Sequence, residues 1–196
     1  MQADAKEASA HIKMGKVYLF TGSGAGKTTN ALGLALRSIG HDHNVIMIQF
    51  MKYWEGTGEF KAQKKLKGYK VYQYGRPGWL KISGGKAKFG KQKFKTRRIE
   101  PSDRKYALEG LKKAEMIMDK EKPDLLILDE INLAVHAGLL ETEEVLSLLD
   151  KIPKETTIVM TGRKAHKALI SRADYVDIIT ATKRPKISKT TKGIQY

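Results

Sequence analysis

The 196-residue chain contains no cysteine. Disulfide frameworks, thiolate metal sites and cysteine nucleophiles are therefore excluded, and any chemistry must use oxygen, nitrogen or a bound cofactor. Long apolar runs are also missing. No window approaches the roughly 18 residues a membrane span needs, and the opening "MQADAKEASAHIK" is polar, unlike a secretory leader. These features lead us to expect a soluble, cytoplasmic protein. The five histidines are scattered, with His41 and His43 in one turn and His11, His136 and His166 far apart, so no metal-ligand spacing emerges. Neither a G-x-S-x-G elbow nor an H-E-x-x-H pair occurs, which removes the foothold for serine hydrolases and zinc proteases.

Acidic residues are absent from one long stretch. Residues 61–98 carry 14 of the 37 Lys and Arg and no Asp or Glu, leaving 23 basic against 21 acidic residues elsewhere. The net charge of +16 thus belongs largely to one segment. Tyr69, Tyr72, Tyr74, Trp79, Phe89 and Phe94 are interleaved with it. Such a segment can hold nucleic acid by phosphate contact and stacking, attract an acidic protein or ligand, or simply form a solvated surface.

What is present in quantity is alternation. The short apolar runs "KVYLF" (16–20), "NVIMIQF" (44–50), "DLLILD" (124–129), "TTIVM" (156–160) and "YVDIIT" (175–180) suit buried parallel strands. Between the first two, Ala31, Leu32, Ala35, Leu36 and Ile39 recur at helical spacing and Gly40 is placed to end the helix. Further helices are expected from Pro101 or Ser102 to about Met118 and from Thr142 toward Ile152. Strands alternating with helices imply one α/β domain, residues 15–196, with a mostly parallel sheet after a flexible segment 1–14. Residues 52–100 break the rhythm, and "GRPGW" and "SGGK" mark loops there rather than a regular element.

The sharpest motif is "TGSGAGKTT", residues 21–29, which follows a strand and opens a helix. It ends as a Walker A loop does, in Gly26, Lys27 and Thr28, but begins with Thr21 where that motif has glycine. A curled chain through Gly22, Ser23, Gly24, Ala25 and Gly26 aims successive N–H groups at phosphate oxygens, helped by the positive end of the helix. Lys27 adds mobile charge and Thr28 a hydroxyl for Mg2+, and Thr29 is counted with them among the nucleotide-binding residues. At the end of a later strand, Asp129 and Glu130 can reach such a metal ion, although acidic pairs also open many solvated loops. Arg163, just beyond the next strand, can meet phosphate oxygens at the same edge.

Taken together and in order, "TGSGAGKTTNALGLALRSIGH", "VIMIQFMK", "LDEINLAV", "VMTGRKAH" and the C-terminal "RP…GIQY" resemble the P-loop type of ATP:corrinoid adenosyltransferase. The likeness covers most of the chain outside residues 52–100, and the Thr21-Gly22 start is that family's own form. It implies a RecA-like P-loop fold, a homodimer, and transfer of the 5′-deoxyadenosyl group of ATP to the cobalt of a reduced corrinoid with release of triphosphate. Gly22 to Thr28 would then grip the leaving triphosphate, with Lys27 and Arg163 neutralising it and Mg2+ held by Thr28, Glu130 and Asp129. The family also uses an aromatic wedge, in a G-F-T-W stretch, to displace the lower axial ligand of cobalt. Here "GRPGW" places Trp79 on the tryptophan but Arg76 or Pro77 where phenylalanine stands. An acidic flavoprotein is the expected reductant for the basic segment to meet. Two other classes use the same motifs: a RecA-like ATPase acting on nucleic acid, and a small-molecule kinase with residues 76–98 as its lid.

Overall fold

The computed structural model describes residues 15–80, 96–183 and 191–194, with Trp79, Leu80, Thr96 and Arg97 described by backbone alone. Six strands form an all-parallel sheet: β1 (Val17–Thr21), β2 (Val45–Phe50), β3 (Tyr69–Tyr74), β6 (Leu125–Asp129), β7 (Thr157–Thr161) and β8 (Tyr175–Ile178). Their spatial order is β3-β2-β6-β7-β1-β8. A two-residue parallel pair, β4 (Trp79–Leu80) and β5 (Thr96–Arg97), stands apart. The helices are α1 (Lys27–Ile39), α2 (Gly58–Ala62), α3 (Pro101–Lys120), α4 (Ile131–His136), α5 (Thr142–Leu149) and α6 (Lys167–Arg172). This is the α/β arrangement with a parallel sheet expected from the alternating runs, and it is consistent with the RecA-like P-loop fold that the resemblance implies.

The runs are continuous in apolar character because both faces of the sheet are covered. In a strand, successive side chains point to opposite faces. Val45 and Met47 of β2, with Leu125 and Ile127 of β6, pack under Ala31 and Ala35 of α1. Ile46, Ile48 and Phe50, with Leu126 and Leu128, pack under Ala107, Ala114, Ile117 and Met118 of α3 and the buried faces of α4 and α5. At Gly110 helix α3 approaches the sheet so closely that a Cβ would lie 2.9 Å from Phe50 and 3.2 Å from Tyr74.

Three expectations need correction. Residues 52–100 are not all loop, because they supply α2 and the edge strand β3. "YVDIIT" is a strand only to Ile178, and it is an exposed outer edge rather than a buried strand, pairing among the described residues with β1 alone. Helix α5 ends at Leu149 and α3 runs on to Lys120. Helices α4 and α6, six residues each, were too short for their periodicity to register. No helix of the described residues is long and apolar enough to cross a membrane.

Candidate active site at the carboxyl edge of the sheet

Every strand of a parallel sheet delivers its C-terminal residues to one edge, so loops distant in sequence converge there. The loop after β1 turns into α1 through Gly26, in the left-handed region at φ 103. Gly22 shares that conformation, and unlike Gly26 it also lies in a tight fit. Its φ is 103, and a Cβ there would lie 2.4 Å from the Ile179 carbonyl oxygen. The loop is pinned to the chain leaving β8 by a hydrogen bond from the Gly24 N–H to the Ile179 carbonyl, 2.7 Å. Lys27 is buried, 6% exposed, and its ammonium donates to the carbonyls of Gly22 at 3.1 Å and Gly24 at 2.6 Å. Ser23, Ala25 and Thr29 are exposed.

The Thr28 hydroxyl donates to Asp129 Oδ1 at 2.8 Å, joining the loop to the end of β6 as the motif spacing suggested. Asp129 is fully buried and accepts three further hydrogen bonds. Thr161, at the end of β7, donates to Oδ1 at 2.7 Å, while Gln49 and Lys52 donate to Oδ2 at 3.1 and 2.7 Å. A carboxylate offers about four acceptor sites, so Asp129 is satisfied by protein donors alone. Burial works against its charge, but the Lys52 ammonium and the hydrogen bonds from Lys52, Thr161 and Thr28 hold its pKa below the usual carboxylate value. Burial likewise disfavours the Lys52 ammonium, yet Asp129 and then Glu59 outweigh that and raise its pKa. Glu59 joins the cluster by accepting from Gln49 at 3.2 Å and pairing with Lys52 at 3.5 Å.

Glu130 is its neighbour's opposite. It occupies φ 63, a conformation costing a non-glycine residue about 1–3 kcal/mol, with its N–H donated to the Thr161 hydroxyl at 3.0 Å. Its Oε2 is buried with no hydrogen-bond partner. Burial, then the charge of Asp129, push its pKa above the usual carboxyl value, against the lowering effect of Lys52, Lys27 and Arg163. Those three cations thus all act on the same carboxyl. Arg163 itself is exposed, following Gly162 at φ 134 and preceding Lys164 at φ 55. A buried acceptor without a donor, on the residue that follows the Thr28-bonded Asp129, suits an oxygen ligand of Mg2+ shared with phosphate oxygens.

Of the residues named from sequence, Gly22 to Thr28, Asp129 and Glu130 are therefore brought to one edge, with Arg163 within electrostatic reach. The wedge expectation at Trp79 concerns a side chain outside the described residues. Arg76, one of the two residues expected at the phenylalanine position, ties the "GRPGW" loop to the start of α3 by pairing with Glu100 at 2.6 Å and with the Ser102 hydroxyl. Sequence reasoning missed Gln49, Lys52, Glu59 and Thr161. Gln49 could have been found as the one polar residue inside "VIMIQF", since a fully buried glutamine needs partners.

Comparison with known proteins bears on this geometry. The family model for ATP:corrinoid adenosyltransferase BtuR/CobO/CobP matches residues 13–196. A corrinoid adenosyltransferase of Escherichia coli strain K12 is 30% identical over 198 residues, covering 100% of this chain and 92% of the relative. The corrinoid adenosyltransferase CobA of Salmonella typhimurium strain LT2 is 29% identical with the same coverage, and that of Pseudomonas aeruginosa is 27% identical over 98% of this chain and 89% of its own. A phosphate loop, an acid pair and a match running from residue 13 to the last residue agree, and the chain belongs to the ATP:corrinoid adenosyltransferase family.

Proposed function

We propose that the protein transfers the 5′-deoxyadenosyl group of ATP to the cobalt of a reduced corrinoid, in adenosylcobalamin formation. The observation that carries this reading is the full-length family match joined to a phosphate loop braced against Asp129 through Thr28. The cobalt(I) electron pair attacks the 5′-carbon, the cobalt–carbon bond forms, and the carbon–oxygen bond breaks with its electrons leaving on triphosphate. Cobalt(I) is itself the nucleophile, so no side chain need activate water or a hydroxyl. The protein's part is to position the 5′-carbon and to stabilise the leaving group. Loop N–H groups between Gly22 and Thr28, apart from that of Gly24, which is bonded to Ile179, hold the triphosphate. Lys27, released from the Gly22 and Gly24 carbonyls, and Arg163 neutralise it. Thr28 Oγ1 and Glu130 Oε2 would hold Mg2+, which when bound screens phosphate charge. Asp129, already saturated, orients Thr28 rather than ligating directly.

Three further parts of the proposal rest on the family likeness and the charge distribution: a homodimer, a cytoplasmic location, and an acidic flavoprotein reductant drawn to residues 61–98. Within that segment Lys61, Lys64, Lys65, Lys67 and Lys70 are exposed around α2 and β3. Such a field speeds encounter with an acidic partner and weakens with ionic strength. The direct test is anaerobic incubation with ATP, Mg2+ and chemically reduced cobalamin, following the light-sensitive cobalt–carbon product by absorbance. Its formation supports the reading, and ATP consumption without it would refute it.

A further inference from the structure

Between Gly162 and Ala165 the chain leaves β7 in a short arch that carries Arg163, and both feet of the arch are fastened. At the first foot the Gly162 N–H donates to the Phe20 carbonyl of β1 at 3.2 Å. The Gly162 carbonyl accepts from the side-chain amide of Asn132, on α4, at 3.4 Å. The contact with α4 is close. Gly162 lies at φ 134, and a Cβ there would come 2.8 Å from the Leu133 nitrogen and 3.0 Å from the Asn132 Cβ. At the second foot the Ala165 N–H donates to the Thr21 hydroxyl at 3.3 Å. Thr21 is the residue that stands where a Walker A loop begins with glycine. Lys164, at φ 55, turns the chain between the feet. Arg163 itself is exposed and makes no hydrogen bond or ion pair among the described residues, while its charge reaches the Glu130 carboxyl.

Neither fastening side chain is accounted for by packing. Asn132 is fully buried, and its Oδ1 has no hydrogen-bond partner. A buried acceptor left unsatisfied destabilises the folded state, so a core position alone gives no reason for an amide. What the amide supplies is the bond from its other end to Gly162. Thr21 is also buried, 6% exposed, at a position where the phosphate-loop motif itself calls for glycine. What its side chain supplies is an acceptor for Ala165. An exposed arginine loses rotamer freedom when it meets an anion, and a backbone already fixed keeps that loss to the side chain. Fixing the backbone also sets the distance, and a misplacement of about 1 Å can cost on the order of 100-fold in rate. We infer that Thr21 and Asn132 are positioning residues, which hold the arch after β7 so that Arg163 meets the triphosphate in the loop after β1. Threonine at the head of that loop then serves the arginine rather than the phosphates. This inference rests on the phosphate role proposed for Arg163 above and adds what holds that residue in place.

Calorimetry with inorganic tripolyphosphate and Mg2+, without corrinoid, tests this independently of adenosyl transfer. Arg163→Ala should weaken binding about tenfold or more, the worth of a hydrogen bond to a charged group. Asn132→Leu and Thr21→Val should each weaken it several-fold, whereas Thr21→Ser, which keeps the hydroxyl, should bind as the unaltered protein does. A positioning residue matters only while the arginine is there. Adding Asn132→Leu or Thr21→Val to Arg163→Ala should therefore weaken binding no further than Arg163→Ala alone. A general structural effect would instead multiply with the loss of Arg163. That result would overturn the inference, as would Thr21→Val binding as tightly as the unaltered protein. Asn132→Leu exchanges one unpartnered buried oxygen, its own, for another, that of Gly162, so its urea midpoint should hardly move; if it falls, the Thr21 variants decide. Unchanged binding in Arg163→Ala would reject the phosphate role of Arg163, and no binding by the unaltered protein would reject the phosphate loop. Either result overturns the inference as well.

Discussion

At the scale of single residues, the site divides labour between two adjacent acids. Asp129 is buried, charged and fully bonded; Glu130 is strained, with one buried oxygen awaiting a partner. Glu130→Gln should therefore keep the fold and nucleotide binding but lose the gain in affinity that Mg2+ gives to ATP, measured by calorimetry with and without the metal ion. An unchanged Mg2+ effect would remove Glu130 from the metal. Lys52→Met, by contrast, leaves a buried carboxylate without its cation, and breaking such a pair costs about 3–5 kcal/mol. Urea unfolding should show that loss. Adding Asp129→Asn should recover part of it, since contacting residues couple by about 0.5–3 kcal/mol, and strict additivity of the two changes would deny the pairing. Lys27, Thr28, Asp129 and Glu130 were legible in the sequence because their roles are written in local motifs. Gln49, Lys52 and Thr161 were not, since each acts only through β2 and β7 lying beside β6, and nothing local specifies which strands are neighbours.

At the scale of elements, helix α3 comes closest to the sheet at Gly110, and the contact joins it to Phe50 and Tyr74 at the ends of β2 and β3. Gly110→Ala gains about 1 kcal/mol in helix propensity but must push Phe50 aside, and overpacking a filled core costs about 1–3 kcal/mol. Net destabilisation in thermal or urea melts is expected, with increased stability contradicting the close fit. The four buried strands whose runs are continuously apolar reflect how two-sided burial dictates composition, which is why β1, β2, β6 and β7 could be read directly. β3 escaped because "YKVYQY" alternates and sits among lysines, as an edge strand with a polar outer part does. β8 was placed too deep for the complementary reason. Its apolar residues stand at an outer edge, where exposure depends on what lies beside the strand and not on its own sequence.

At the scale of the whole molecule, the charge excess and the site residues fall in different parts of the sequence. The basic excess lies in residues 61–98, while the site is built from loops of β1, β2, β6 and β7. Changing Lys88, Lys91, Lys93 and Lys95, which lie outside the described residues, to Glu is expected to slow transfer driven by a reduced flavoprotein and to flatten its salt dependence, while transfer to chemically reduced cobalamin stays nearly unchanged. A variant that loses only DNA binding would instead give the segment to nucleic acid. The central claim is that this phosphate loop holds a leaving group and that the bond broken is at carbon. The most direct measurement is phosphorus NMR of ATP consumed during anaerobic turnover with reduced cobalamin. Inorganic triphosphate appearing in step with the light-sensitive alkylated corrinoid is the predicted result, and ADP with inorganic phosphate, formed with or without the corrinoid, would contradict it.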